Sequence, residues 1–246
     1  MRLSADGMRH GLCLQQVTPS PRGIACIEMV ITAQYLVMKI LAVSDQEVEQ
    51  IYDLVPQGHF GGVEIIISCG DLRYEYLEYM VTMLNVDLFY VPGNHDLDYN
   101  PTLTAARAAG CTNLDLGTVR AKGLLLAGFG GSIRYRPDGA NQYTQTGAFL
   151  RAAMLLPKLW RNRLRYGKAL DVLITHSPPY GIHDDDTRSH RGLKAINWLL
   201  DWTKPRYHLH GHIHFVQSNL ARDVLWQGTT SILNVYPYRL IEIQDA

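Results

Sequence analysis

The chain has 246 residues, a formal net charge of +0 and 47% hydrophobic residues. This length and apolar content support a buried core in one large domain or two small ones, and they exclude a disordered tail. The balanced charge argues against a general nucleic-acid coat protein, whose domain would be strongly basic.

Short apolar segments alternate with longer helical segments from Met38 onward, which predicts an α/β fold. Near-continuous apolar strands such as 63–68 predict sheets that are covered on both faces. The strands grouped near the C-terminus predict a second sheet. Within the predicted helix at 147–164, Pro157 is expected to break or restart the helix. The predicted strands are Lys39–Val43, Val63–Ser68, Leu88–Val91, Leu124–Ala127, Val172–Thr175, Tyr207–His210, Val224–Trp226, Ser231–Asn234 and Arg239–Ile243. The predicted helices are Glu47–Leu54, Leu72–Leu84, Thr102–Ala109, Gly147–Leu164 and Gly192–Trp202.

Residues 1–37 show no clear periodicity, whereas Met38 opens a buried-strand pattern. We therefore expect a single domain over 38–246. Residues 1–37 would then be an extension that is disordered or follows a mis-assigned start. The alternative is a peripheral strand or helix over 24–37.

The cysteines and apolar segments indicate the compartment. The four cysteines form no C-x-x-C pair, which favours a reducing compartment and a cytoplasmic location. No segment reaches the roughly 18 consecutive apolar residues that a membrane span needs, so we expect no membrane partner.

Chemically active side chains follow five predicted strands at the point where each strand ends. In open α/β sheets, ligands bind beside the carboxyl ends of the strands, so we expect these side chains to meet at one edge. Histidine is the commonest metal ligand, and eight of the ten histidines lie between His95 and His214. The residues at these strand ends are Asp45, Asp71, Asn94, His95, Asp96, His176, His212 and His214.

The order of these motifs resembles the calcineurin-like metallophosphoesterase superfamily, whose pattern is D-x-H, G-D, G-N-H-D/E, H and G-H-x-H. The resemblance covers essentially Met38 to the C-terminus. Residues 130–135, 175–179 and 205–214 also resemble a bacterial branch of uncharacterised members. The resemblance implies a two-sheet α/β/β/α sandwich and a metal-dependent phosphoesterase.

The resemblance also implies a site for two metal ions, which would produce a bridging hydroxide and clamp the phosphoryl oxygens. Asp71 would bridge the ions, and His95 would assist departure of the leaving oxygen. Asp96 would orient His95 and favour its imidazolium form. Mixed oxygen and nitrogen ligands suit divalent or trivalent Mn, Fe or Zn. The implied metal ligands are Asp45 and His214 on the first ion, and Asn94, His176 and His212 on the second.

Glu47 departs from the pattern, because it stands where the family usually has the histidine of D-x-H. One interpretation is that Glu47 binds the first metal as a third carboxylate beside Asp45 and Asp71, which favours Mn²⁺. The other is that Glu47 points away and the first site is weak or empty. We favour ligation.

Other polar residues carry weaker signals. Arg134 follows a glycine-rich segment and is a candidate for binding the substrate phosphate, as is His190. His208 and His210 precede G-H-x-H on the same strand, and we expect both to be structural. The acidic segment 183–186 is either a solvated loop or a border of the substrate pocket.

Residues 139–170 contain no acid, whereas six basic residues lie between Arg151 and Lys168. This pattern is typical of a helix that packs on a sheet with its cations in water. Alternatively, the segment 151–168 binds a polyanion, which would make the protein a nuclease.

The substrate expected is a small phosphate ester, with nucleic acid less favoured. A scaffold without catalysis is the remaining alternative, and the oligomeric state stays open.

Overall fold

The computed structural model describes residues 37–97, 107–214 and 223–244. Within these ranges, the chain forms thirteen strands and four helices. The strands are β1 (Val37–Val43), β2 (Val63–Ser68), β3 (Asp87–Tyr90), β4 (Thr112–Asn113), β5 (Thr118–Ala121), β6 (Leu124–Phe129), β7 (Ser132–Ile133), β8 (Gln142–Tyr143), β9 (Val172–Thr175), β10 (Tyr207–His210), β11 (Asp223–Trp226), β12 (Thr230–Asn234) and β13 (Tyr238–Gln244). The helices are α1 (Glu49–Leu54), α2 (Tyr74–Leu84), α3 (Gln145–Tyr166) and α4 (Lys194–Thr203).

Two main sheets stack face to face. The first has the order β13-β1-β2-β3-β4, and the second has the order β11-β12-β10-β9-β6-β5. Alternate side chains of both sheets, such as Ile65, Phe89 and Ile174, form a shared core between them. The outer face of the first sheet packs under α1 and α2, and that of the second under α3 and α4. These four layers confirm the predicted α/β/β/α sandwich.

The predicted second sheet is confirmed, but it includes only two of the three C-terminal strands. β11 and β12 belong to the second sheet, whereas β13 pairs antiparallel with β1 in the first. Side chains of β13 alternate: Ile241 and Ile243 are buried in the core between the sheets, while Leu240 is half exposed. This period of two is typical of an edge strand with one covered face.

The prediction that Pro157 breaks or restarts its helix is wrong, because α3 runs without interruption over 22 residues. Pro157 lies on the exposed face of α3, where water can bind the carbonyl group that loses its helical N–H partner. Thr144 caps the helix by accepting a 3.0 Å hydrogen bond from the Gly147 N–H.

Two predictions fall mainly outside the described residues. Of the predicted helix at 102–109, only residues 107–109 lie in the described ranges, and these three are not helical. Of the predicted extension at 1–37, only Val37 lies in the described ranges, and it begins β1. No helix in the described ranges is long and apolar enough to cross a membrane. The two-residue strands β4, β7 and β8 are too short to give a periodic signal, and β5 was missed because only Ala121 of its four residues is buried.

Candidate metal centre

Four strand ends deliver a compact group of ligand atoms. Asp45 follows β1, Asp71 follows β2, His176 follows β9 and His212 follows β10. One ligand atom of each residue lies within 4.8 Å of those of the other three. These strands are parallel to their neighbours in two facing sheets, so their carboxyl ends open at the same edge.

Three of these residues have left-handed backbones, with φ values of 64° for Asp45, 56° for Asp71 and 65° for His212. This region is costly for residues other than glycine, and such residues concentrate at functional sites. Backbone hydrogen bonds hold the turns: the His212 N–H donates to Asp45 Oδ2 at 2.8 Å, and the His95 N–H donates to Asp71 Oδ1 at 2.8 Å. Each carboxylate therefore keeps its second oxygen available to the site.

Two glycines of the motifs are required for packing. A Cβ atom on Gly93 would overlap the Asp71 carboxylate, and one on Gly211 would overlap the side chains of Ser44 and Asp45. Any side chain at these two positions would push the carboxylates out of the site. This close approach explains the glycines in G-N-H-D and G-H-x-H.

Hydrogen bonds fix the tautomers of the two buried histidines. His176 Nδ1 lies 2.7 Å from the Cys69 carbonyl, and His212 Nε2 lies 2.8 Å from the Ser189 carbonyl. A carbonyl only accepts, so both of these ring nitrogens are donors. The remaining ring nitrogens, His176 Nε2 and His212 Nδ1, face each other at 3.1 Å, a distance at which at most one of them carries a proton.

Asn94 adds a further lone pair to this group. Its Nδ2 donates to the Tyr135 hydroxyl at 3.1 Å, which turns Oδ1 to within 3.0 Å of His176 Nε2. Tyr135 ends the segment 130–135 that resembles a bacterial branch of the family, but the sequence alone assigns it no role at the site.

The electrostatics of the group favour positive charge. Burial lowers the pKa of His176, but the carboxylates of Asp71 and Asp45 outweigh burial and raise it to about 10. Burial raises the pKa of Asp71, but His176 and the His95 N–H reverse this and lower it to about 2. Burial lowers the pKa of His212 to about 4, and the charge on His176 adds to this effect. The carboxylates therefore draw one proton onto His176.

His214 lies at the open side of the group and is half exposed. Its Nε2 is 3.4 Å from Asp45 Oδ1, and its ring stacks on Tyr236 with 4.4 Å between centroids. The Tyr236 hydroxyl donates to Gln46 Oε1 at 2.6 Å, so the ring supporting His214 is itself fixed. Hydrogen bonding to Asp45 raises the pKa of His214.

A cavity of about 420 Å³ opens above these ligand atoms. His95 and His190 border it, together with Arg136, whose guanidinium lies 5.4 Å from the centre of the Tyr135 ring. Arg136 forms no ion pair with the described acidic residues. The cavity is lined by Asp45, Asp71, Asn94, His95, Tyr135, Arg136, Ser189, His190, His212 and His214.

Comparisons with known proteins identify this arrangement. A family model described as calcineurin-like phosphoesterase matches residues 38–216. The chain belongs to the calcineurin-like phosphoesterase family.

Two solved structures are similar to this chain in fold. The crystal structure of TT1561 from Thermus thermophilus is 18% identical, with a TM-score of 0.56 over 85% of this chain and 99% of that one. Another crystal structure is 16% identical, with a TM-score of 0.59 over 86% of this chain and 100% of that one. At these identities the likeness shows the fold alone. A comparison with curated protein sequences found no match.

Members of this family typically bind a dinuclear metal centre, and the donor set fits metal ions. Five groups that can offer lone pairs converge here: His176 Nε2, His212 Nδ1, the Asn94 amide oxygen and the carboxylates of Asp45 and Asp71. Only a cation or a proton can satisfy so many acceptors. The Cys69 and Ser189 carbonyls orient the histidine rings, as outer partners of metal ligands do.

Glu47 lies apart from this group. Its two carboxylate oxygens accept hydrogen bonds from Arg73 Nε and an Arg73 terminal nitrogen, each at 2.6 Å. Such a bidentate pair occupies both oxygens. Ligation of a metal by Glu47 therefore stays a prediction, and it requires Glu47 to leave Arg73.

Asp96 holds two loops together. Its Oδ2 accepts hydrogen bonds from the N–H groups of Gly93 at 2.8 Å and Asp71 at 2.9 Å. Burial and the charge of Asp71 raise the pKa of Asp96 to about 6. Orientation of His95 by Asp96 stays a prediction. His95 itself is exposed at the rim of the cavity, where a substrate would reach it.

The two candidate phosphate-binding residues differ in position. His190 borders the cavity and also contacts Asp185 at 3.3 Å. Arg134 does not border it, because its guanidinium donates to the Gln142 carbonyl at 3.3 Å. Arg136, two residues later, takes the position at the cavity that we expected for Arg134.

His208 and His210 are fully buried beside the centre. His208 Nε2 lies 2.8 Å from the Thr175 hydroxyl, and His210 Nε2 lies 2.8 Å from His183 Nδ1. Neither residue belongs to the four-residue group of ligand atoms. The contact with His183 attaches the loop at 183–190 to β10, and the same loop supplies Ser189 and His190 to the cavity.

Proposed function

We propose that this phosphoesterase hydrolyses a phosphomonoester or a phosphodiester at the cavity above the metal centre. The observation that carries this proposal is the convergence of His176 Nε2 and His212 Nδ1 with carboxylate oxygens at the floor of an open cavity. When bound there, two metal ions supply positive charge to the phosphoryl oxygens and acidify the water that attacks phosphorus.

The residues around the cavity supply the remaining chemistry. His95 protonates the oxygen of the leaving group, while its backbone N–H stays bonded to Asp71. Arg136 and His190 bind the phosphate oxygens that do not react. Asp96 keeps the turns at Asp71 and Gly93 in place, so that His95 reaches the substrate.

We further propose how the metals are held. Asp71 would serve both ions, and Asn94, His176 and His212 would complete one site. Asp45 and His214 would hold the other ion, and Glu47 would join them after leaving Arg73. Three carboxylates then favour a hard metal such as Mn²⁺ over Fe or Zn²⁺.

A nuclease is a weaker candidate, because the basic segment 151–168 lies on α3 and none of its residues borders the cavity. Arg151 is already paired with Asp115, and Lys168 with Asp171. A cytoplasmic location remains part of the proposal and is supported by the free thiols of Cys69 and Cys111 in the described ranges.

The experiment measures hydrolysis of p-nitrophenyl phosphate and bis-p-nitrophenyl phosphate by protein loaded with Mn²⁺, with the metal content determined in parallel. We expect turnover of at least one ester. His95→Ala should retain the metal but lose about 10²- to 10⁴-fold in kcat, the usual contribution of a general acid. Asp71→Asn should lose metal and activity together. His59→Ala, at an exposed histidine that does not border the cavity, is the control.

Two results would overturn the proposal. Fully metal-loaded wild-type protein that hydrolyses neither ester indicates a scaffold rather than an enzyme. An unchanged kcat in metal-loaded His95→Ala excludes His95 as the proton donor.

A further inference from the structure

The outer face of α3 exposes large apolar side chains to solvent. The exposed fractions are 68% for Leu150, 62% for Met154, 55% for Trp160 and 74% for Leu164. With Phe149, these residues are five of the eleven large exposed apolar residues in the described ranges. Concentration of such residues on one element marks a binding surface, whereas scattered ones are ordinary.

The spacing of these residues makes one continuous stripe. Successive residues of an α-helix are rotated by about 100° around its axis. On this basis five side chains lie across one side of α3, in the order Phe149, Trp160, Leu164, Leu150 and Met154. Ala153 and Pro157 fall within the same arc. The opposite side packs against the second sheet through Ala148, Ala152, Leu155 and Leu159. The helix therefore has two apolar faces, and only one of them is covered by the described residues.

Positive charge borders the exposed face. Arg163 follows one edge of the stripe, Arg165 follows the other, and Arg161 lies within it. All three side chains are exposed, and Arg161 and Arg163 form no ion pair with the described acids. No acidic residue occurs between Asp138 and Asp171. The partner of this face must therefore accept both apolar side chains and cations.

The arginines decide between three candidate partners for this face: a second copy of the chain, duplex DNA and an anionic bilayer. In a symmetric dimer the same patch faces itself, so a second copy would bring one basic helix against another. Duplex DNA accepts arginines through its phosphates but offers no apolar layer for Leu150 and Leu164. An anionic bilayer accepts both, because its headgroups attract cations and its acyl boundary takes up apolar side chains.

We propose that the outer face of α3 docks this protein on an anionic lipid surface. Leu150, Met154 and Leu164 enter the boundary between headgroups and acyl chains, and Trp160 lies at that depth with its polar N–H in the headgroup region. Arg161 and Arg163 contact lipid phosphates. The expectation of no membrane partner rested on the lack of a spanning segment, but a helix lying on a surface needs none.

The test measures co-flotation of the full chain with vesicles of phosphatidylcholine alone or mixed with phosphatidylglycerol. We expect binding to the mixed vesicles only, weakened by salt. The double variant Leu150→Gln/Leu164→Gln should reduce partitioning about tenfold or more, because it removes both apolar anchors. Arg161→Gln/Arg163→Gln should reduce it as well. All four substituted side chains are exposed, so we expect both double variants to fold. Circular dichroism checks the fold of each variant.

Leu225→Gln is the matched control. Leu225 is 63% exposed on β11, and its neighbours Val224 and Trp226 point to the opposite side, where they pack with the α3 and α4 core. This variant should bind vesicles as the wild type does.

Each alternative partner has its own result, and each overturns the proposal. Absence of binding to either vesicle, or equal binding of the leucine double variant, excludes lipid docking by this face. A dimer in sedimentation that Leu150→Gln/Leu164→Gln dissociates, without vesicle binding, identifies a second copy as the partner. Salt-sensitive binding to duplex DNA without vesicle binding identifies a nucleic-acid surface.

Discussion

His176 Nε2 and His212 Nδ1 face each other at 3.1 Å, while the other nitrogen of each ring donates to a carbonyl. Two lone pairs at this distance repel unless a positive charge lies between them. In the metal-free protein a proton on His176 supplies this charge, because Asp71 and Asp45 hold the pKa of His176 at about 10 despite its burial. A metal ion would replace that proton.

Metal binding should therefore stabilise the fold. Excess Mn²⁺ added to chelator-treated protein should raise the free energy of unfolding by about 2.7 kcal/mol when the metal concentration is a hundred times Kd. The measurement is urea unfolding with and without Mn²⁺. Asp71→Asn should abolish the increase, whereas Asp185→Asn, at an exposed loop carboxylate, should preserve it. An equal increase in Asp71→Asn would contradict the assignment of Asp71 as a ligand.

The hydroxyl of Tyr135 should control metal affinity without binding metal. Tyr135→Phe removes the acceptor for Asn94 Nδ2, so the amide is free to rotate and its oxygen leaves the site for part of the time. Loss of an outer partner of a ligand usually weakens metal affinity about 10- to 100-fold, and we expect the lower end for a single hydrogen bond. Calorimetric titration with Mn²⁺ measures the change.

Tyr180→Phe is the control for this variant, because Tyr180 is exposed and does not border the cavity. It should bind Mn²⁺ as the wild type does. Equal affinity of Tyr135→Phe and wild type would show that packing alone orients Asn94.

The sequence predicts the ligand-bearing strand ends well, because each is an apolar segment followed directly by a short polar motif. Partners that contribute only a backbone atom leave no such signal. The Ser189 carbonyl, which fixes the tautomer of His212, would be supplied by any residue at that position. Arg134 and Arg136 are equally basic in the sequence, and only the hydrogen bond of Arg134 to the Gln142 carbonyl decides which one reaches the cavity.

Long-range pairing sets a second limit on prediction from this sequence. The β13 pattern fits an edge strand of either sheet, and its pairing with β1 joins residues about two hundred positions apart. Pro157 shows the same limit at a single residue, because the cost of a proline in a helix depends on whether water reaches the carbonyl it leaves unpaired.

Arg73 should compete with the first metal for Glu47. Glu47→Ala should lower the bound Mn²⁺ from two ions per chain to one, since the site at Asp71, Asn94, His176 and His212 does not include it. Arg73→Gln should instead tighten the weaker site by about fivefold, the order of one exposed ion pair. Metal analysis after dialysis gives the stoichiometry, and titration gives the affinities. Wild-type values in both variants would leave Glu47 as an ion-pair residue only.

The buried ring of His208 should make the fold sensitive to acid. Burial lowers the pKa of His208 to about 3, with a further contribution from nearby His183. Its Nε2–H donates to Thr175, and its Nδ1 has no hydrogen-bond partner in the described ranges, so nothing there stabilises a second proton. An unfolded histidine takes up a proton below about pH 6.5. The unfolded state therefore binds more protons than the folded state between about pH 6.5 and pH 3.

Stability contributed by neutral His208 is therefore complete above pH 6.5 and is lost as the pH falls towards 3. The steepest loss is about 1.4 kcal/mol per pH unit for one proton. His208→Gln keeps an N–H donor but cannot titrate, so the free energy of unfolding should fall less steeply with acid by about that amount. Urea unfolding in chelator from pH 7.5 to pH 4.5 measures both slopes. His59→Gln, at an exposed histidine, should keep the wild-type slope. Parallel slopes for wild type and His208→Gln would mean that His208 is protonated in the folded protein.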